Sequence, residues 1–402
     1  MTESIQWVMN SLPKTGDKHL SIMGLEEVGR AKAFHESFPM YEPTPLTGLK
    51  KMASYLGVGS LWIKDESYRF GLNAFKVLGG SYAMARYIAE KTGRDISELP
   101  YQELISEKIK GEFGQATFFS ATDGNHGRGV AWAARILGQK CVIYMPGRTT
   151  VTRLNHILRE GAEATVEEVN YDACVRMAAE AVERVPNGVM VQDTAWEGYE
   201  KIPSWIMQGY GTMAMEADEQ LTAATGAPPT HVFIQAGVGS LAGAVQGYFA
   251  NKYSENPPAV VVVEASEADC IYLGAKAGDG NIRIVDTDMP TIMAGLACGE
   301  PNILSWDILK NHATAFLSCP DWVTVQGMRM LAAPRKGDSP VTSGESGAVP
   351  FGALAAIMTE EAYAPLKNAL GLNEASRVIC FSTEGDTDPQ RYENIVWRGL
   401  DR

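Results

Sequence analysis

The chain is predicted to be an α/β protein of two domains, built on open, mostly parallel sheets with helices on both faces. Three observations predict it. Short apolar or β-branched runs recur along the chain, and each is followed by a glycine-containing turn and then an amphipathic stretch. Strands that alternate with helices run parallel, because the helical crossover returns the chain to the same end of the sheet. At 402 residues the chain also exceeds what one hydrophobic core ordinarily serves.

Candidate strands lie at 61–65, 116–121, 141–145, 164–169, 189–192, 231–235, 260–264 and 378–382. Candidate helices lie at 74–91, 124–137, 151–160, 172–184, 203–225, 241–253, 322–331 and 348–361. The most apolar run, Val349 to Met358, is far shorter than the ~20 residues that span a bilayer, so it reads as a buried helix. Ligands of such sheets bind beyond the carboxyl ends of the strands, so the informative residues should stand just after strands.

Composition narrows the function. Hydrophobic residues make up 45% and charged residues 21%, as in a globular protein with a sizeable core. The net charge of −13 argues against nucleic acid and anionic membranes as partners. Residues 1–17 lack the apolar core of a signal peptide. The six cysteines show no CxxC spacing, which disfavours structural zinc and a disulfide scaffold. A reduced, cytoplasmic setting is expected, with a Cys270–Cys298 bond left open.

Three segments carry chemistry. Gln235 is followed by Ala236, Gly237, Val238, Gly239 and Ser240, where a strand ends and a helix opens. Glycines there let a phosphate approach bare backbone, and the helix start supplies N–H donors. The alternative is a tight turn without a ligand. The segment from Lys64 to Gly80 contains Phe75 and Lys76. A nucleophilic lysine needs partial desolvation, and the alternative is a solvated helix lysine. The turn Ser120 to Gly129 contains Thr122, Asp123, Gly124, Asn125 and His126. Asn125 suits a ring oxygen, the N–H groups suit a carboxylate, and His126 reads as a structural residue of the turn.

In chain order, Pro43-Thr-Pro-Leu46, Ala-Phe-Lys76, the Gly-Asn-His-Gly turn at 124–127, Ala-Gly-Val-Gly at 236–239 and Ser343-Gly-Glu-Ser-Gly-Ala348 resemble fold-type II pyridoxal-phosphate (PLP) enzymes. This is the tryptophan synthase β-like group, which includes serine and threonine dehydratases. The resemblance spans roughly residues 40 to 390. Within the group, the segments Arg-Phe-Gly-Leu-Asn-Ala-Phe-Lys, Gln-Asp-Thr-Ala-Trp-Glu-Gly-Tyr, Ile-Met-Ala-Gly-Leu-Ala-Cys-Gly-Glu-Pro-Asn and Ser-Thr-Glu-Gly-Asp-Thr-Asp are similar to the diaminopropionate ammonia-lyase family.

The resemblance implies PLP joined to Lys76 as a Schiff base and elimination of ammonia from 2,3-diaminopropionate, of D- or L-configuration, to give pyruvate. It implies a small amino-acid substrate and a homodimer; no metal-ligating residues are expected, and a bound monovalent cation is left open. A larger domain would combine residues 1–80 and 205–402, with 81–204 inserted as a smaller one. The ring nitrogen should meet Ser382 or Thr383, and Glu345 should lie near the cofactor unless it is an exposed turn acid.

Two acids fit that reaction. Asp123 stands where the dehydratases carry serine. A carboxylate beside the substrate carboxylate repels it, unless the substrate carries a second ammonium. Asp193 closes another strand. One group must take the Cα proton, Lys76 or Asp123 according to handedness. Another must protonate the departing nitrogen. Helix capping is the alternative role for each aspartate. The rival functions are a serine or threonine dehydratase of the same fold, a non-catalytic PLP-binding protein and a nucleotide-binding α/β protein.

Overall fold

The computed structural model describes residues 4–122 and 124–400. Its strands are β1 Gln6–Met9, β2 Leu46–Gly48, β3 Ser60–Asp65, β4 Thr117–Ala121, β5 Lys140–Pro146, β6 Glu163–Glu167, β7 Gly188–Met190, β8 His231–Gln235, β9 Ala259–Ala265, β10 Ala315–Cys319 and β11 Arg377–Ser382. They form a seven-stranded sheet of order β1-β10-β9-β8-β11-β3-β2 and a four-stranded sheet of order β6-β5-β4-β7. The small sheet is parallel throughout. The large one is parallel except at its two edges, where β1 and β2 pair antiparallel with β10 and β3.

The central strands are apolar because both of their faces are covered. In β9 the run Ala-Val-Val-Val-Val-Glu-Ala is buried at all but its first position. The eight strands anticipated from sequence are present within a few residues, while β1, β2 and β10 were not anticipated. The apolar run from Val349 lies in the buried Glu345–Thr359 helix. No helix among the described residues is long and apolar enough to cross a membrane.

Three helices fix the relation between the sheets near the lysine. The Val77–Lys91 helix packs against both Lys201–Thr225 and Asn125–Ile136. The approach is close: a Cβ on Gly129 would stand 2.8 Å from the Cα of Val77. Gly129 thereby brings the first turns of the Asn125–Ile136 helix against the lysine.

Beneath the lysine segment lies a buried ionic cluster. The Lys64 amine and Arg69 Nη2 each donate to Glu216 Oε2 at 2.7 Å, and Arg69 Nε donates to Glu66 Oε2 at 2.9 Å. Burial pushes the Lys64 amine down, against the pull of Glu216. Burial would raise the Glu216 carboxyl, but Arg69 and Lys64 hold it below its ordinary range. Two cations and two anions balance, which is what makes such burial tolerable.

Candidate active site

Five strand ends converge on one cavity, which Lys76, Asp193 and the glycines at 237 and 239 line together. After β3 the chain turns through Phe70 and Asn73, both with positive φ, and is stitched to the end of β11. Phe75 N donates to Thr383 O at 3.1 Å, and Gly385 N to Asn73 O at 3.1 Å. The helix begins at Val77, so Lys76 precedes it, where the sequence suggested a start at 74. Lys76 and Phe75 line the cavity.

β7 delivers Asp193. The Lys76 amine is 2.5 Å from Asp193 Oδ2, and the carboxylate is buried. Tyr171 and Tyr210 donate to it from 3.3 and 3.4 Å, and His126 Nδ1 lies 3.8 Å away. Burial alone would raise the Asp193 carboxyl. His126 and Lys76, together with hydrogen bonds from Lys76 and Tyr171, hold it far below the usual carboxylate range. Burial and Asp193 keep the Tyr210 phenol protonated, so it can donate. These contacts argue against a capping role for Asp193.

β4 delivers Thr122, Asn125 and His126 to the cavity. Thr122 Oγ1 accepts from Gly124 N and Gly127 N, closing the turn. His126 Nε2 donates to Val191 O at 2.9 Å, a structural tie between β4 and β7. Gly124 does not line the cavity, since a Cβ there would face the Arg153 side chain at 3.2 Å. Asp123, the other predicted acid, lies outside the described residues.

β8 delivers Gly237, Val238, Gly239 and Ser240, which line the cavity with Gln235 and Leu241. Ser240 opens a helix that runs to Lys252, whose first N–H groups have no partner within it. Ala236 is the exception, because its N–H is committed to Val263 O at 2.9 Å. β11 delivers Thr383 but not Ser382. Successive strand residues point to opposite faces, and the Ser382 hydroxyl turns to Ser343 Oγ at 2.8 Å. Thr383 Oγ1 accepts from Gln235 Nε2 at 2.6 Å, which leaves its own proton to give.

Glu345 is buried, not an exposed turn acid, yet it does not line the cavity. Its carboxylate faces Arg391 Nε at 3.3 Å. Burial, then the neighbouring Glu384, push the Glu345 carboxyl up. The carboxylate at the cavity wall on this side is Glu384. Sequence reasoning assigned no role to Glu384, Gln235, Tyr171, Tyr210, Leu241, Ser346 or the Gly295–Leu296–Cys298 wall. No disulfide joins Cys270 to Cys298; Cys270 Sγ lies 3.8 Å from Cys298 O.

The donor set fits PLP. An amine suits the aldehyde, a glycine-lined helix start the phosphate, a hydroxyl the ring nitrogen and an amide the ring oxygen. The glycine loop is a cradle that side chains would fill: a Cβ on Gly237 would lie 3.1 Å from Gly295 O and 3.3 Å from Cys298 Sγ. Gly239 has φ +97°, and its Cβ would meet Ile271 Cδ1 at 2.8 Å. Gly239→Ala is therefore expected to weaken PLP binding by about 10–100-fold, given ~1–3 kcal/mol of backbone strain. Titrating the cofactor-free variant with PLP checks this, and an unchanged affinity would remove the loop from the phosphate site.

A pyridoxal-phosphate dependent enzyme family model matches residues 38–367. The diaminopropionate ammonia-lyase of Salmonella typhimurium is 51% identical over 91% of this chain and 91% of its own length. A crystal structure of the Escherichia coli diaminopropionate ammonia-lyase with an aminoacrylate–PLP azomethine reaction intermediate is similar at a TM-score of 0.89, with 45% identity over 98% of this chain and 97% of that one. Maize serine racemase shares the fold, with a TM-score of 0.69 and 19% identity over 94% of this chain and 98% of that one.

Proposed function

The chain belongs to the pyridoxal-phosphate dependent enzymes and, among them, to the diaminopropionate ammonia-lyase family, and from that premise we propose that it eliminates ammonia from 2,3-diaminopropionate, giving pyruvate and two equivalents of ammonia. The observation that carries this reading is the Lys76 amine at 2.5 Å from buried Asp193 in a cavity bordered by the glycine loop.

When bound, PLP supplies the electron sink for charge left at Cα. Lys76 would hold the aldehyde, the N–H groups from Gly237 to Ser240 would hold the phosphate, and Thr383 and Asn125 would serve the ring nitrogen and the ring oxygen. Phe75 packs beside them, its ring 4.8 Å from that of Tyr210. The turn from Thr122 to His126 takes the substrate carboxylate on backbone donors, and Asp123 meets the second ammonium.

Two proton movements complete the elimination. Lys76 or Asp123 takes the Cα proton, according to substrate handedness. Asp193 gives a proton to the departing nitrogen, since an amide anion does not leave. Lys76 is a free amine once the substrate has displaced it, and the proton it takes from Cα can cross its 2.5 Å contact to Asp193 and go on to the departing nitrogen, which recharges a carboxyl otherwise held low. The enamine released tautomerises and hydrolyses in water to pyruvate and the second ammonia.

The inserted segment 81–204 carries the 122–126 turn and Asp193, and its closure would exclude water. The reading also includes a cytoplasmic homodimer, which sedimentation of the purified protein tests for assembly. Asp123→Asn is expected to keep PLP absorbance and to lose about 10²-fold in turnover. Unchanged turnover would remove Asp123 from the mechanism.

Incubation with D- and L-diaminopropionate and with serine, scoring both products, tests the function. Two ammonia per pyruvate from diaminopropionate supports it. Efficient turnover of serine alone, with one ammonia per pyruvate, would leave the dehydratase reading.

A further inference from the structure

We infer that Glu384 is a positioning residue that aims the amide of Asn125 at the cofactor, an inference that rests on Asn125 facing the ring oxygen. Glu384 follows β11 in the large sheet, whereas Asn125 opens a helix beyond β4 of the small sheet. The Glu384 carboxylate is buried and accepts twice. Oε2 takes a hydrogen bond from Asn125 Nδ2 at 2.5 Å, and Oε1 takes one from Ser346 N at 2.9 Å.

The backbone of Glu384 is held as firmly. Its carbonyl accepts from Gly344 N at 2.9 Å, and it bridges Ala74 in the lysine segment. The wall around it is tight: a Cβ on Gly344 would stand 3.0 Å from Glu384 Cγ. The carboxylate therefore has one place to be.

An asparagine amide has two ends of nearly equal shape, and only its nitrogen donates. Both Glu384 oxygens accept, Oε2 from Asn125 and Oε1 from Ser346 N, so the end of Asn125 that faces Glu384 is Nδ2. That nitrogen carries a second N–H, directed away from the first by the planar amide. Asn125 and Glu384 both line the cavity. The bond to Glu384 thus decides which end of Asn125 an oxygen of the ligand would meet. The same bond ties the end of β11 in the large sheet to the helix after β4 of the small one.

Glutamine cannot replace Glu384. Two donors, Asn125 Nδ2 and Ser346 N, converge on it, and glutamine offers a single oxygen with an N–H₂ group at the other position. Either one donor faces another, or the Asn125 amide turns over and presents Oδ1 in place of Nδ2. Glu384→Gln is therefore expected to weaken PLP binding to the cofactor-free chain about tenfold and to shift the visible band of the bound cofactor. Asn125→Ala should do the same, and the double variant should lose no more than Asn125→Ala alone.

The outcomes separate. Parent affinity and spectrum in Glu384→Gln, beside a perturbed Asn125→Ala, would overturn the role of Glu384 and leave Asn125 at the cofactor. An unperturbed Asn125→Ala would overturn both. Additive losses in the double variant would show Glu384 acting by another route and overturn the proposal. Should Glu384→Gln fail to fold, Asn125→Asp asks the same question, since it sets one carboxylate against another. It should bind PLP markedly worse than Asn125→Ala, and equal affinities would overturn the inference.

Discussion

Replacing Lys76 by alanine is expected to abolish covalent retention of PLP and to lower kcat/KM by at least about 10³-fold, because an anchoring nucleophile and a proton-transfer group go together. Borohydride reduction should fix the cofactor on residue 76 of the parent and nowhere on the variant. Lys64, on the strand before it, cannot substitute: it is fully buried and bound to Glu216 and Thr44 O. Turnover within tenfold of the parent, or covalent label at another lysine, would end the reading of this site.

The same substitution has a signature in stability. Asp193 has a folded pKa held below its unfolded one, so its contribution is present above pH ~3.9 and fades as the pH falls below that value. Lys76→Ala removes one of the groups that hold it low and leaves burial in place. Breaking a buried pair costs about 3–5 kcal/mol, reduced here by solvent screening at the Lys76 end, which is 17% exposed. Cofactor-free variant and parent should differ most near neutrality and converge in acid. A gap that widened in acid would mean that Asp193 is not the carboxylate concerned.

Much of this was legible in the residues for a physical reason. Parallel strands covered on both faces must be apolar throughout, so β8, β9 and β11 stand out as runs of Val, Ile and Phe. β1 and β2 escaped because they are edge strands of four and three residues with half-exposed faces. β10 escaped although fully buried, since Ala-Phe-Leu-Ser-Cys has no β-branched residue. In the site, motifs marked the places where strands end, and most of the cavity stands there. Tyr210 gave no signal, being one aromatic within a long buried helix. Glu384 stood next to residues already singled out, and only the three-dimensional contact with Asn125, 259 positions away, gives it a task.

Asp193→Asn should retain PLP and its absorbance yet lose about 10³-fold in turnover of diaminopropionate, within the 10²–10⁴ typical of one proton-transfer group. The substitution keeps the shape, so Tyr171 and Tyr210 lose a charged acceptor but no volume is opened around them. A structural defect would slow every substrate alike. A proton donor to the leaving group would not, because need for the proton depends on what leaves. Ammonia must be protonated as it departs, whereas chloride leaves as the anion. With β-chloroalanine, the Cα proton is still taken by Lys76 or Asp123 and the departing atom asks nothing of residue 193. The variant should therefore turn over β-chloroalanine within about tenfold of the parent while failing on diaminopropionate. Equal losses on both substrates would move Asp193 from the leaving group to the Cα proton or to the support of Lys76, and the proton would have to reach nitrogen from elsewhere in the cavity.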